Sequence, residues 1–103
     1  MDKYAKMIVM HKPAHPGEVL RHYLPKEMSI TEVARTLYVS RTSLSTFLNQ
    51  KSRLSATLAL RLSAWLGTSP DLWLGMQVQW DLQQAKRARI PKIKPLVRSP
   101  LVA

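Results

Sequence analysis

The sequence predicts an all-α fold in which short helices enclose one hydrophobic core. Apolar residues recur three and four positions apart in several successive stretches, as they do on one face of a helix. Serine, proline and glycine stand between these stretches, where helices start and stop. No stretch shows the alternation of apolar and polar residues that a half-buried strand needs. The 103 residues suffice for one domain, which we place at 15–85 between an N-terminal arm at 1–14 and a tail at 86–103.

The first helix is predicted to begin at Pro16, because proline is tolerated at the first helical position, where its missing N–H needs no partner. Pro25 is expected to end or kink this helix. Its apolar face consists of Val19, Leu20, Tyr23 and Leu24.

Two short helices joined by a tight turn are predicted next. The turn lies at Tyr38 and Val39, and Ser40 is placed to cap the second helix. Ala34 is small enough to let the two helices approach closely. The apolar positions are Ile30, Val33, Ala34 and Leu37 in the first helix and Leu44, Phe47 and Leu48 in the second. Residues 30–49 therefore have the layout of a helix-turn-helix.

Two further helices complete the predicted domain. The fourth is capped by Ser55 and stopped by Gly67, and the fifth starts at Pro70. Their apolar faces consist of Leu58, Ala59, Leu62, Trp65 and Leu66, and of Leu72, Trp73, Met76 and Trp80. Trp65 and Trp73 are interpreted as core residues rather than as a stacking platform for single-stranded nucleic acid. Trp80, near the end of the last helix, is a better candidate for a dimer or partner interface.

The charge balance indicates a polyanionic partner. Sixteen Lys and Arg oppose six Asp and Glu, which gives a net charge of +10. DNA, RNA and acidic membranes all release counterions when they bind such a surface, which favours binding, so the charge alone does not identify the partner. The chain lacks cysteine, a signal-peptide core and an apolar run long enough for a membrane span. These absences favour the cytoplasm and no membrane association.

Catalysis, metal binding and cofactor binding are not expected. Prolines at 13 and 16 prevent His11 and His15 from sharing a helix face, and no carboxylate cluster accompanies these two histidines or His22. The glutamates are scattered over different segments, with no nucleophile and base at a useful spacing. The sequence therefore predicts neither an enzyme nor a metalloprotein.

The tail beyond Ala85 is basic and rich in proline, and it is predicted to be extended. It has no acidic residue, and its prolines prevent a continuing helix. Its basic residues are Lys86, Arg87, Arg89, Lys92, Lys94 and Arg98. Two interpretations stay open: a solvated extension that raises solubility, or a segment that contacts phosphates and strengthens DNA binding.

The second helix of the pair is the candidate DNA-reading element. Its polar side lies away from Leu44 and Leu48, and a helix of this kind fits the major groove. Arginine and asparagine can bond base edges, and Ser or Thr can reach bases or phosphates. The predicted DNA-binding residues are Ser40, Arg41, Thr42, Ser45, Thr46 and Asn49, with Lys51 and Arg53 just beyond the helix. The alternative is a helical hairpin whose polar face simply meets water.

Four segments together resemble the HigA/VapI-type antitoxins of the Xre/Cro helix-turn-helix superfamily. They are HPGEVL at 15–20, the helix-turn-helix, LALRLS at 58–63 and GTSPDLWL at 67–74. The similarity covers about residues 15–85, and the combination of the first and last blocks is fairly specific. The sequence departs from the family pattern at Tyr38 and Gln50, which replace turn glycines, and at Gly75, often an asparagine.

The resemblance implies a compact lambda-repressor-like domain of five helices that acts as a homodimer. Such a dimer would bind a palindromic operator, repress its own operon and neutralise a HigB-like toxin, a RelE-type mRNA endonuclease. Two alternatives remain at this point: a stand-alone transcriptional regulator of the same superfamily, and a protein-interaction module on the same scaffold. The segment carrying Asp2, Glu18 and the apolar residues 4–9 is the expected toxin-binding surface.

Overall fold

The computed structural model describes residues 12–97, and every regular element in that range is a helix. The elements are α1 (Pro16–Tyr23), α2 (Ile30–Leu37), α3 (Arg41–Leu48), α4 (Ala56–Leu66) and α5 (Pro70–Arg87). The predicted all-α class and the order of these helices are confirmed. Most of the predicted arm, His11 and Arg98 lie outside the described residues.

Side-chain caps define where each helix begins. The side chains of the residues preceding the helices accept a backbone N–H of the first turn: His15, Ser29, Ser40, Ser55 and Ser69. The predicted caps at Ser40 and Ser55 are therefore confirmed. Glu32 returns the bond to the Ser29 backbone, which completes a capping box and lowers the pKa of Glu32.

The core lies where α3 meets α1 and α2 and where α4 meets α5. Its largest fully buried side chains include Trp73 and Phe47. Two residues assigned to apolar faces are more exposed than predicted, Tyr23 at 42% and Leu72 at 39%. Tyr23 lies at the rim, with its ring edge-on to Trp73 at 6.3 Å between centroids. Leu72 is on the flank of α5, because its neighbour Trp73 points into the core.

Two turns use left-handed backbone at residues that are not glycine. Tyr38, between α2 and α3, has φ 57 and ψ 41, and Gln50, after α3, has φ 62. A residue with a Cβ in this conformation costs about 1 kcal/mol or more relative to glycine. Both turns therefore have the left-handed backbone that glycine favours, although neither position is a glycine. The Tyr38 carbonyl accepts a hydrogen bond of 2.7 Å from the Arg61 guanidinium of α4, which holds the turn.

Gly17 permits close contact between α1 and α3. A Cβ at this position would overlap the backbone carbonyl of Phe47. The N–H of Gly17 donates to Nδ1 of the cap residue His15 at 2.9 Å. The Pro-Gly pair that opens α1 therefore combines a preset first turn with the space that the last turn of α3 occupies.

His15 joins three parts of the fold and is only 2% exposed. While Nδ1 accepts from Gly17, Nε2 donates to the carbonyl of Ser52 at 3.1 Å, which fixes one neutral tautomer. The ring also packs edge-on against Trp80 at 5.3 Å and at a tilt against Phe47 at 5.7 Å. Burial lowers the pKa of His15, although the Ser52 carbonyl and the carboxylates of Asp81 and Glu18 oppose that shift.

The end of α5 extends two residues into the predicted tail, as far as Arg87. Lys86 and Arg87 occupy its last turn, where a positive charge interacts favourably with the helix dipole. Residues 88–97 have neither helix nor strand, and all are exposed. Within residues 12–97, no helix is both long and apolar enough to cross a membrane.

Candidate nucleic-acid interface

One side of helix α3 is buried in the core, and the opposite side is exposed to solvent. Leu44, Phe47 and Leu48 are each 2% exposed or less, so the opposite side of this short helix faces outward. Of the predicted DNA-binding residues on α3, Arg41 and Thr42 are exposed, whereas Ser45 and Thr46 are half-buried. The residues at the outer side are small and polar apart from Arg41, which leaves room for a groove wall or a base edge to approach.

Hydroxyl groups on this side already have partners inside the protein. Ser40 accepts the N–H of Ser43 at 3.0 Å and donates to its hydroxyl at 2.8 Å. The Thr46 hydroxyl donates to the carbonyl of Thr42 at 2.8 Å. Ser40 is therefore first a helix cap, and the Thr46 oxygen is left to act as an acceptor.

The C-terminal end of α3 is held by a residue that the sequence reasoning missed. The Arg21 guanidinium donates to the carbonyl of Leu48 at 3.3 Å and to Oδ1 of Asn49 at 2.9 Å. The Asn49 amide nitrogen lies 3.5 Å from the Ser45 hydroxyl. The amide of Asn49 is thus oriented by α1. The position of Arg21 in the last turn of α1, two residues after Val19, gave no signal of this contact.

Lys51 and Arg53 lie in the segment between α3 and α4, and they differ in their surroundings. Lys51 is exposed, and its backbone N–H bonds the carbonyl of Thr46 at 3.0 Å. Arg53 is ion-paired with Asp81 of α5, with the two side chains 68% and 34% exposed. The positive charge of Arg53 is therefore shared with a protein carboxylate.

A groove of about 510 Å³ runs between α3 and the start of α4. Hydroxyl-bearing residues dominate its wall, and none of its lining residues is acidic. They are Ser40, Thr42, Ser43, Thr46, Ser52, Ser55 and Thr57. Because the caps of α3 and α4 both line the groove, the partly positive N-termini of two helices open onto it. A phosphate backbone matches this combination of helix N-termini and hydroxyls.

Metal-ligating residues do not form a comparable site. Within residues 12–97, no three His, Cys, Asp or Glu side chains cluster in a way that would hold an ion. Both ring nitrogens of His15 are occupied by protein hydrogen bonds.

Two helices packed on the core, a three-residue turn between them and an outward polar side on the second helix define a helix-turn-helix domain. No protein-family model matches the chain. Virulence-associated protein A' of Dichelobacter nodosus is 36% identical to it, over 84% of the chain and 77% of that relative. Antitoxin HigA-1 of Vibrio cholerae is 31% identical, over 82% of the chain and 85% of its own length. The chain belongs to the HigA/VapI-type antitoxins of the Xre/Cro helix-turn-helix superfamily.

A solved structure supports this assignment in three dimensions. The structure of the antitoxin GraA in complex with its operator has a TM-score of 0.66 to this chain at 42% sequence identity. The match covers 73% of this chain and 78% of that one. The lambda-repressor-like fold class is therefore confirmed, and the resemblance found in the sequence is correct.

Proposed function

We propose that this protein binds operator DNA through α3 and represses its own operon. The observation that supports this most directly is the combination of the outward polar side of α3 with the adjoining groove, which lacks acidic residues. An α-helix fits the major groove of B-DNA, and phosphates bind at helix N-termini. The GraA structure, a family member bound to its operator, supports the same assignment.

Each predicted DNA-binding residue except Arg53 has a proposed role. Arg41 and Thr42, exposed at the start of α3, read base edges, while Ser45 and Thr46 contact bases or phosphates at the helix centre. Asn49 contacts the DNA in the orientation set by Arg21, and Lys51 contacts phosphate. Ser40 offers its helix N-terminus to a phosphate. Arg53 is not assigned a contact with DNA, because its guanidinium is ion-paired with Asp81.

The operator complex requires two copies if the operator is palindromic, and α5 offers a surface for the second copy. Val78 and Leu82 are 51% and 48% exposed, on the side of α5 opposite Trp73 and Met76. Apolar residues in a row on one exposed helix side favour self-association. We therefore propose a homodimer in which this side of α5 contributes to the interface.

We further propose that the protein is an antitoxin that neutralises a HigB-like toxin, an mRNA endonuclease of the RelE type. Its relatives are described as antitoxins and virulence-associated proteins, which supports a regulatory rather than a catalytic activity. We assign the protein to the cytoplasm, where both an operator and an mRNA endonuclease are found. A stand-alone regulator remains the second candidate, and the experiments below separate the two.

DNA binding is tested by fluorescence anisotropy with the DNA upstream of the gene. Replacing Arg41 by Ala should weaken binding by about 1 to 3 kcal/mol if it contacts a base, which is roughly a fivefold to 150-fold loss. Lys26→Ala, which removes one exposed charge from the connection between α1 and α2, serves as the control. Equal effects of the two substitutions would refute the assignment of α3 as the reading helix.

The tail is tested by deleting residues 86–103, which we propose to contact phosphates. Binding should then depend less steeply on salt, because each phosphate contact contributes about 0.9 to the slope of log K against log salt. An unchanged slope would leave the tail as a solubilising extension.

The toxin is tested by purifying the tagged full chain from its native cell. A neighbouring-gene product recovered at near-equal amount would establish the antitoxin activity. Operator DNA recovered without any such protein would establish a stand-alone regulator.

A further inference from the structure

We propose that Asp81 restrains the sequence-independent part of DNA binding, because its carboxylate pairs with Arg53 and keeps that guanidinium from binding DNA phosphates. The inference rests on the proposed DNA binding and concerns a residue of α5 outside the reading helix. Arg53 lines the groove beside α3, where phosphates are expected. Asp81 neutralises the one arginine in that lining.

The Asp81 carboxylate is fixed in place from behind. One of its oxygens pairs with Arg53, and the other accepts a hydrogen bond of 2.9 Å from the side-chain amide of Gln77. Gln77 is only 2% exposed, and its amide oxygen accepts the N–H of Leu54 at 2.7 Å. The carboxylate therefore cannot swing away from Arg53 without breaking a bond to a buried side chain.

The fixed carboxylate determines the net charge that a DNA phosphate encounters at Arg53. An ion pair as exposed as this one contributes little to folding, so its main consequence is for the charge that the groove presents. A phosphate that approaches Arg53 also approaches the fixed carboxylate, and the two negative charges repel. The pair presents no net charge to DNA, whereas an unpaired Arg53 would present +1.

Nonspecific binding to DNA depends on such charges, while sequence recognition depends on contacts of α3 with base edges. Removing the Asp81 charge therefore strengthens binding to every sequence, the random duplex and the operator alike. One added phosphate contact raises nonspecific affinity about fivefold at 0.15 M salt and steepens the slope of log K against log salt by about 0.9.

The experiment measures binding of the full chain to a random duplex and to the operator at several salt concentrations. The variants are Asp81→Asn, Arg53→Gln and the two combined. Asparagine keeps an oxygen for the Gln77 amide, so the contact that fixes the side chain is retained. Asp71→Asn, which removes the same charge from the first turn of α5, is the control.

The expected results are a steeper slope for Asp81→Asn, the wild-type slope for Arg53→Gln and a return to that slope in the combined variant. A wild-type slope for Asp81→Asn, or an equal effect of Asp71→Asn, would overturn the inference. So would a slope reduced by about one in Arg53→Gln alone, since Arg53 would then contact phosphate despite its pair. If the wild type binds its operator more tightly than the random duplex, such a result overturns only the inference about Asp81. If the wild type binds neither DNA, the proposed DNA binding is refuted as well.

Discussion

Replacing His15 by Ala should destabilise the fold by about 3 kcal/mol at neutral pH. The substitution removes the cap of α1, worth about 1 kcal/mol, and the hydrogen bond to Ser52, worth about another 1 kcal/mol. It also empties the space between Phe47 and Trp80, which adds a cost of similar size. A domain of this size is stable by about 5 to 15 kcal/mol, so the variant should still fold.

The same residue makes stability depend on pH. In the folded chain Nδ1 accepts the N–H of Gly17, so a proton added there breaks the cap and buries a charge. The pKa of His15 is lower in the folded state than in the unfolded state, where it is about 6.5. The stability contributed by neutral His15 is therefore complete above about pH 6.5 and is lost as the pH falls towards the folded pKa.

Urea unfolding followed by tryptophan fluorescence at pH 7.5, 6.5 and 5.5 would measure both effects. His15→Asn is the matched variant, because its short side chain can still cap α1 but does not titrate in this range. It should lose part of the stability at pH 7.5 and show a weaker dependence on pH than the wild type. An identical pH dependence in the two proteins, or a loss below about 0.5 kcal/mol in His15→Ala, would refute the assigned role of the buried ring.

Four further substitutions test the backbone. Gly17→Ala should destabilise by about 1 to 3 kcal/mol, because its Cβ overlaps the Phe47 carbonyl, and thermal unfolding that matches the wild type would contradict this close approach. Gly75→Ala should stabilise by about 0.5 to 1 kcal/mol, since nothing lies within 4 Å of the added Cβ in the middle of α5. Gln50→Gly should relieve left-handed strain and match or exceed wild-type stability, whereas Gly67→Ala, at φ 71, should destabilise by about 1 kcal/mol. Opposite signs in urea unfolding would contradict the turn assignments.

The helices were predictable because their signals are local. Serine caps, first-turn prolines and the spacing of apolar residues all lie within a few positions of the helix ends that they determine. The burial of Leu44 and Leu48 on one side of α3 follows from the same spacing, and so does the exposure of Thr42. These features gave the direction in which α3 faces before any tertiary contact was known.

The contacts that hold the interface were not predictable, because they join residues far apart in the chain. Arg21 meets Asn49 across 28 positions, as Arg53 meets Asp81. Neither pair has a periodic pattern, and a charged residue on an exposed helix side has many possible partners. His15 illustrates the same limit: its place before Pro16 indicated a helix start, but its bond to Ser52 depends on how α1 packs against the end of α3.

The segment between α3 and α4 is held by one residue that precedes α1 and by one residue of α5. Ser52 is bonded by His15 before α1, whereas Leu54 is bonded by Gln77 of α5. During synthesis, α3 and its turn emerge before α5, so the bond from Leu54 to Gln77 can form only after that part of α5 has been made. A chain truncated before α5 would therefore lack the support that shapes the groove. The finished interface is therefore a property of the nearly complete domain.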